Sequence, residues 1–239
     1  MRRSVNSKRE GGGGGGHETK FVLSNRRAHA LRDWLARTCL DDPSYPAGLI
    51  SSIYFDTFDL RSLAEKVDSD FLKTKVRVRW YGDIATGRPE EASFLEVKSK
   101  EGARRDKIRI RAPWSGEELS RMRLTDRKLL DPTAFLAASG VVVEGPLYPV
   151  LQISYRRRRY VEPVSRVRIC LDWDIRAPRV NSQMMPHRAA VRLDRAVLEV
   201  KRRALDLPGL ARRFRRFGCR KESFSKYAVC CAAAAGRPA

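Results

Sequence analysis

Histidine and cysteine are scarce in this chain: three of the first and five of the second among 239 residues. Cys39, Cys170, Cys219, Cys230 and Cys231 contain no CxxC pair, and His17, His29 and His187 stand far apart, so the spacing of a zinc site is absent. An odd, scattered set of thiols reads as reduced and mostly buried, which suits a cytoplasmic protein. No run of about 18 apolar residues occurs, so no membrane-spanning helix is expected. The first residues also lack the apolar core of a secretory signal. A Ser-His-Asp set and a Walker loop are missing as well. The six glycines at 11–16 are not a phosphate loop, because no GK[ST] follows them and no strand precedes them.

What the chain has is positive charge. Lys and Arg number 49 against 28 Asp and Glu, a net charge of +21. Hydrophobic residues still make up 42%, enough for a core and too many for a disordered basic tail. Such a field attracts polyanions of any kind, so net charge alone names no function.

The charge is patterned. In Lys75-Val76-Arg77-Val78-Arg79-Trp80 the cations fall on one face of a strand and the apolar residues on the other. The alternation returns in residues 94–100, 107–111, 166–169 and 198–201, giving five strands with one apolar and one charged, mostly cationic face. Same-face neighbours stand about 6.7 Å apart. Two cations at that spacing repel by roughly 0.6 kcal/mol in bulk water and about 2.5 kcal/mol at an effective dielectric of 20. A surface built this way calls for an anion: polyphosphate, nucleotide or nucleic acid.

The remaining signals outline an α+β protein. Residues 1–16 read as a disordered leader, 17–231 as one domain and 232–239 as a flexible tail. A strand at 17–23 precedes a helix at 24–40, capped by Ser24 and striped with Ala28, Leu31, Trp34 and Leu35. Strands are expected at 49–57, 75–80, 93–100, 106–112, 150–161, 166–175 and 196–201, with a hairpin at Glu101-Gly102-Ala103. A short helix is expected near 60–66. Ser115 and Glu118 form a capping box, Asp131-Pro132 starts another helix, and a basic helix runs from Asp206 to Gly218. About eight antiparallel strands with few crossover signals suggest a closed barrel or a strongly bent sheet. The charged faces point either outward, around an apolar interior, or inward, into a hydrated hollow whose apolar exterior the helices at 24–40, 116–140 and 206–217 must cover. Alternation alone leaves both open.

Several segments carry a resemblance. They are Glu18-Thr19-Lys20-Phe21, Ile53-Tyr54-Phe55-Asp56-Thr57, Arg77-Val78-Arg79-Trp80-Tyr81-Gly82, Phe94-Leu95-Glu96-Val97-Lys98, the Tyr155-x-Arg157 pair, Val167-Arg168-Ile169-Cys170-Leu171-Asp172, Leu198-Glu199-Val200-Lys201 and Ser225-Lys226-Tyr227. In this order the chain resembles the VTC domain of the triphosphate tunnel metalloenzyme superfamily, which includes the CYTH proteins. The resemblance implies an eight-stranded antiparallel tunnel barrel with charge inside and helices outside. It implies polyphosphate synthesis from ATP with a divalent metal, Mn2+ or Mg2+; relatives hydrolyse triphosphates or cyclise ATP. No specific nucleic acid is expected as a partner.

By position, the resemblance assigns Lys20, Arg77, Arg79, Lys98, Lys107, Arg157, Lys201 and Lys226 to phosphate, with Arg77, Arg79, Lys98, Lys107 and Arg157 doing the catalytic work. It assigns Glu199 to the metal, supported by Glu96 or Glu18. The chemistry of the residues agrees: the arginine fork suits bidentate phosphate contact and lysine acts as a mobile point charge. Glu199 is equally readable as one half of a salt bridge, and Lys226 as a solvated lysine. Asp172 and Asp174 could bind metal, but suit a structural role beside Arg168 better. In the run Arg156 to Arg159, Arg157 shares its face with Tyr155 and the others read as surface charge. Arg212, Arg213, Arg215 and Arg216 read as an exposed basic helix face or a docking site for polyanions.

Overall fold

The strands form where apolar and charged residues alternate, and the computed structural model describes residues 8–11, 17–67, 72–102, 104–130, 132–143, 145–185, 189–202 and 208–237. In chain order the first elements are β1 (Lys8–Gly11), β2 (His17–Leu23), α1 (Asn25–Thr38), β3 (Leu40–Asp41), β4 (Ala47–Asp56) and α2 (Arg61–Val67). Next come β5 (Leu72–Gly82), β6 (Pro89–Glu101), β7 (Arg104–Arg111), α3 (Gly116–Arg121), a 3-10 turn at Arg127–Leu129 and α4 (Pro132–Ala138). The last are β8 (Tyr148–Val161), β9 (Arg168–Val180), β10 (Val191–Arg192), β11 (Ala196–Arg202), α5 (Pro208–Arg216), β12 (Arg220–Lys221) and α6 (Lys226–Ala234).

Local signals act as expected. The Ser24 hydroxyl accepts from the Arg27 amide at 3.4 Å and starts α1. The capping box at α3 is complete, with Glu118 N donating to Ser115 Oγ at 3.1 Å and Ser115 N donating to the Glu118 carboxylate at 2.7 Å. Gly102, at φ 56°, supplies the left-handed turn between β6 and β7. Two expectations need amendment. Lys8–Gly11, taken as part of an unstructured leader, pairs with β7, while residues 1–7 and 12–16 lie outside the described residues. Ordered helix also continues to Ala234, past the start of the expected tail.

All pairings are antiparallel, and among the described residues the sheet holds 12 strands in the order β1-β7-β6-β5-β4-β8-β9-β11-β2-β12, with β10 on β9 and β3 on β8. That path never returns on itself, so the sheet is open and not the closed eight-stranded barrel expected. At one edge β12 is two residues long, and the chain then leaves the sheet as a strap, residues 222–225. Lys20 from β2 donates to the Phe224 carbonyl at 3.0 Å, and Lys75 from β5 donates to Ser225 Oγ at 3.3 Å. The strap therefore spans two parts of the sheet where a further strand pair would be needed for closure.

The direction of the charged faces follows from what covers the apolar ones. Val76, Val78, Trp80, Leu95, Val97 and Ile110 pack with Leu119 of α3, Leu129 of the 3-10 turn and Leu136 of α4. Phe21, Leu198, Ile169 and Leu171 pack under Leu31 and Leu35 of α1 and Phe214 of α5. The helices thus dry one face of the sheet, and the cations take the other. A third cluster gathers Tyr54, Ile153 and Tyr155 with Phe224, Tyr227, Cys230 and Cys231, so α6 closes over that part of the sheet. The Tyr227 ring stacks on Tyr54 at 5.1 Å, and its hydroxyl donates to Asp56 at 2.7 Å. The thiols show no disulfide among the described residues, and all but Cys39 are buried. No described helix is long and apolar enough to cross a membrane.

Phe214 is 1% exposed and carries α5 onto the sheet. Phe214→Ala is expected to lower unfolding stability by about 3–5 kcal/mol, as for other buried aromatic truncations. Urea denaturation measures it, and a loss under about 1 kcal/mol would mean that α5 is not part of the folded unit.

Candidate functional site: a cavity lined with cations

The inward-facing rows meet in one cavity of about 1300 Å³. Its lining contains every residue expected at the site: Lys20 of β2, Arg77 and Arg79 of β5, Glu96 and Lys98 of β6, Lys107 of β7, Arg157 of β8, Glu199 and Lys201 of β11, and Lys226 of α6. Strand register explains the convergence. Lys75, Lys98 and Lys107 are cross-strand neighbours in one row, and Arg77, Glu96 and Arg109 form the next. On the far side Arg157 faces Asp172, while Glu199 faces Lys20.

Two carboxylate centres hold the cations in place. Glu96 is 1% exposed and accepts from Arg77 Nε at 2.9 Å and Nη2 at 2.6 Å. Arg79 and Arg109 stand 3.7 and 3.9 Å from the same carboxylate. Burial pushes the Glu96 carboxyl up, but the charges of Arg77 and Arg79 overcome it and hold the group far below the usual carboxylate range. Asp172, with no exposure, accepts from Arg157 Nε at 2.5 Å and Nη2 at 2.6 Å, and from Lys226 Nζ at 2.6 Å. Arg157 Nη2 also donates to Glu199 at 3.1 Å, and Lys226 and Lys20 lie 3.5 and 3.8 Å from Glu199. Burial opposes the Lys226 charge, yet Asp172 and Glu199 raise its pKa above the ordinary lysine value. Lys226 is thus a firmly charged, internal group and not a solvated tail lysine.

The sequence matches the VTC domain over residues 16–235. The chain belongs to the VTC domain family. A search of curated proteins gives no match. Among solved structures, a candidate adenylate cyclase from Bacillus halodurans is 12% identical, with 88% of this chain and 95% of that one covered and a TM-score of 0.46. Another from Vibrio parahaemolyticus is 14% identical, covering 89% and 95%, with a TM-score of 0.43.

The lining of this VTC domain holds thirteen Lys and Arg against four Glu, so a cationic excess remains once every internal pair is made. Among the described residues no three His, Cys, Asp or Glu side chains converge as a metal cage. Glu96, enclosed by three guanidinium groups, does not fit a dication, which those charges would repel. Glu199 also has cations beside it, Arg157, Lys226 and Lys20. Its side chain, however, is 10% exposed against 2% for Glu96 and faces the cavity, where a metal arriving with phosphate can reach it. Burial raises its pKa, and Lys226, Arg157, Lys20 and Lys201 bring it well below the ordinary carboxylate value. A hard cation asks for one or two carboxylates when phosphate oxygens and water complete its shell.

Sequence reasoning placed Asp172 beside Arg168, but its partners are Arg157 and Lys226. Asp174, by contrast, is outside the site, paired with Arg156, Arg176 and Arg192. Arg159, assigned to the surface, lines the cavity, as do Lys100, Arg109 and Lys221. Tyr54 and Tyr155 were also missed as contacts. Arg77 Nη1 donates to the Tyr54 hydroxyl at 3.0 Å, and burial notwithstanding, Arg77 and Arg79 pull that phenol below its ordinary pKa. The alternation in β7 and β8 carries the signal for Arg109 and Arg159, since each shares a face with a chosen residue.

Lys98 differs from the other cations. By area it is exposed, because it reaches the water of the cavity, yet protein surrounds its ammonium on most sides. The surrounding protein governs its solvation: burial, then the charges of Arg77 and Arg79, bring the group down to about 7 against the opposing pull of Glu96 and Glu18. Below that pH the folded protein carries the whole unfavourable charge, and the cost is relieved as pH rises through 7 toward the unfolded value. A bound phosphate restores the proton. Triphosphate affinity is therefore expected to fall as pH rises above about 7, by at most about tenfold per unit for one proton. Calorimetry in buffers of different ionisation enthalpy should show proton uptake at pH 8 that Lys98→Arg abolishes; equal uptake in both proteins would reject the assignment. Separately, Asp172→Asn leaves Arg157 and Lys226 short of their shared partner, and about 3–5 kcal/mol of stability should be lost. Denaturant unfolding reads this directly, and a change within about 0.5 kcal/mol would show that the centre does not hold the fold.

Proposed function

We propose that this VTC domain binds ATP and inorganic polyphosphate in the cavity and transfers the γ-phosphoryl group of ATP to the chain end. The observation that supports this is the uncompensated cationic lining, contributed by strands on both sides of the sheet and by α6. A lining of this kind matches a run of phosphates better than a single anion. Family membership supports a phosphoryl-handling role in general, and the acceptor is the finer part of the proposal.

In the proposed reaction a terminal oxygen of the polyphosphate attacks the γ-phosphorus. The bond from that phosphorus to the β–γ bridging oxygen breaks, and ADP leaves with the electron pair. The attacking oxygen is already anionic at neutral pH, so no protein base is required. What remains is alignment and neutralisation of charge on the transferred group. Arg77 and Arg157 suit this because Glu96 and Asp172 fix their forks before substrate arrives, and Arg79 because Ser52 and Tyr155 hold it. Lys20, Lys98, Lys107, Lys201 and Lys226 supply point charges along the chain. A divalent metal would be held by Glu199 together with substrate phosphates, and would add charge neutralisation at the phosphoryl oxygens.

The same lining suits a second reading, a triphosphatase in which water replaces the chain end as acceptor. One experiment separates the readings: incubation with ATP and Mn2+ or Mg2+, with polymer and orthophosphate both quantified. Polymer growth is expected, and Arg77→Ala should slow it by about 10²–10³-fold, as when one preorganised donor to a reacting group is removed. Orthophosphate without polymer selects the hydrolase. ATP binding with neither product marks a non-catalytic binder.

A further inference from the structure

The arginines of α5 have no role in the cavity chemistry. Phe214 is buried against Phe21 and Trp34, at ring distances of 5.6 and 6.4 Å, with Leu210 and Ala211 beside it. Arg212, Arg213, Arg215 and Arg216 are all exposed on the opposite side. Gly218, at φ 70°, turns the chain back into β12, where Arg220 and Lys221 are exposed too. Among the described residues, none of these six cations is in an ion pair. Cations near a helix C-terminus complement its dipole, but four so close together also repel one another.

Their position gives them a use. Arg215, Arg220 and Lys221 stand at a hollow otherwise lined by Thr19, Phe21, Val200, Ala211, Phe214 and Cys219, and both Thr19 and Lys221 also belong to the main cavity. Positive charge is therefore continuous from the cavity, through Lys221 and Arg220, onto α5. We propose that α5 and β12 form an external track for the part of an inorganic polyphosphate chain that extends beyond the cavity. The proposal rests on the reading of the cavity as a polyphosphate site and extends it to the outer surface. Two other polyanionic partners fit less well. Single-stranded nucleic acid gains affinity by stacking on aromatic faces, and Phe21 and Phe214 are buried here. A membrane surface needs an apolar helix face to insert, and that of α5 is already spent on the sheet.

The test compares tripolyphosphate with polyphosphate of about a hundred units, using the full chain and the variant R212Q/R213Q/R215Q/R216Q. Long-chain affinity should fall about tenfold, which corresponds to about 1.4 kcal/mol, with a shallower dependence on salt. Tripolyphosphate affinity should stay unchanged, because the cavity is intact. The all-lysine variant R212K/R213K/R215K/R216K keeps the charge and should restore long-chain binding, which guards against loss of the helix itself. Equal losses for both ligands, no loss for the long chain, or failure of the lysine variant to restore it would overturn the track. So would RNA of matched charge, or vesicles rich in phosphatidylserine, displacing the long chain as well as polyphosphate does. If tripolyphosphate does not bind the unaltered protein, the cavity reading fails instead, and the two failures are told apart.

Discussion

The structure depends on one constraint: each central strand has an apolar face that must be kept dry and a cationic face that must not be. Helices α1 and α5 on one side, and α3 and α4 on the other, cover the apolar faces, so the cations are turned toward one another. Hydrophobic burial on the outside therefore determines the electrostatics on the inside. Removing water from an apolar side chain is worth about 1.5–3 kcal/mol, and the packed sheet face contains many such groups. That outweighs repulsion of roughly 0.6–2.5 kcal/mol between neighbouring cations, provided carboxylates and cavity water share the charge. Glu96, Asp172 and Glu199 are those carboxylates. Buried ion pairs seldom add net stability over a well-packed apolar alternative. Their value here is positional, since each fixes an arginine fork at the cavity wall.

The alternation of charge was legible from the first reading, and with it which residues share a face. Lys75, Arg77 and Arg79 need only a period of two to be grouped. The facing direction was not legible from that pattern, because it depends on where distant helices pack. Register was the other missing quantity. Arg168 and Asp172 lie on one face of β9, but four residues along a strand is about 13 Å, too far for a salt bridge. The partner that matters is Arg157, directly across on β8. Likewise Glu96 takes its character from Arg77 and Arg109, its neighbours on two other strands. Local sequence shows that a glutamate points inward; only pairing shows that three arginines surround it and that a metal does not suit it.

Closure and the C-terminus show a different kind of illegibility. Strands β3, β10 and β12 are each two residues long and carry no periodic signal. Of the three, only β12 lies at an end of the strand order, opposite β1, and so bears on whether a barrel closes; β3 and β10 branch from β8 and β9. Helix α6 is another matter, because its signals were present. Ser225 caps it by accepting from the Ala228 amide, and Tyr227, Cys230, Cys231 and Ala234 recur at helical spacing and are all buried. Alanine is the strongest helix former, so a run of it following a capping serine indicates a helix. With no helix expected there, Lys226 was equally readable as a solvated lysine; in the first turn of a packed helix it becomes a fixed charge between Asp172 and Glu199.

The positive charge of this chain therefore falls into two populations that obey different physics. Inside, Arg77, Arg157 and Lys226 are desolvated, paired and close to low-dielectric walls, where added salt screens little. Outside, Arg212, Arg213, Arg215 and Arg216 stand in water, where interactions fade beyond about 8 Å at physiological ionic strength. Under the proposed function the inner set would select by geometry, because its forks are held in place, and the outer set by its continuity with the cavity. A net charge of +21 read as one number conceals this division. Lys221 lies where the two populations meet, at the rim shared by the two hollows, with Arg215 and Arg220 in the outer one. A long anion held outside and threaded inward crosses from screened to unscreened charge at that rim, so capture and positioning can be set by different residues of the same chain.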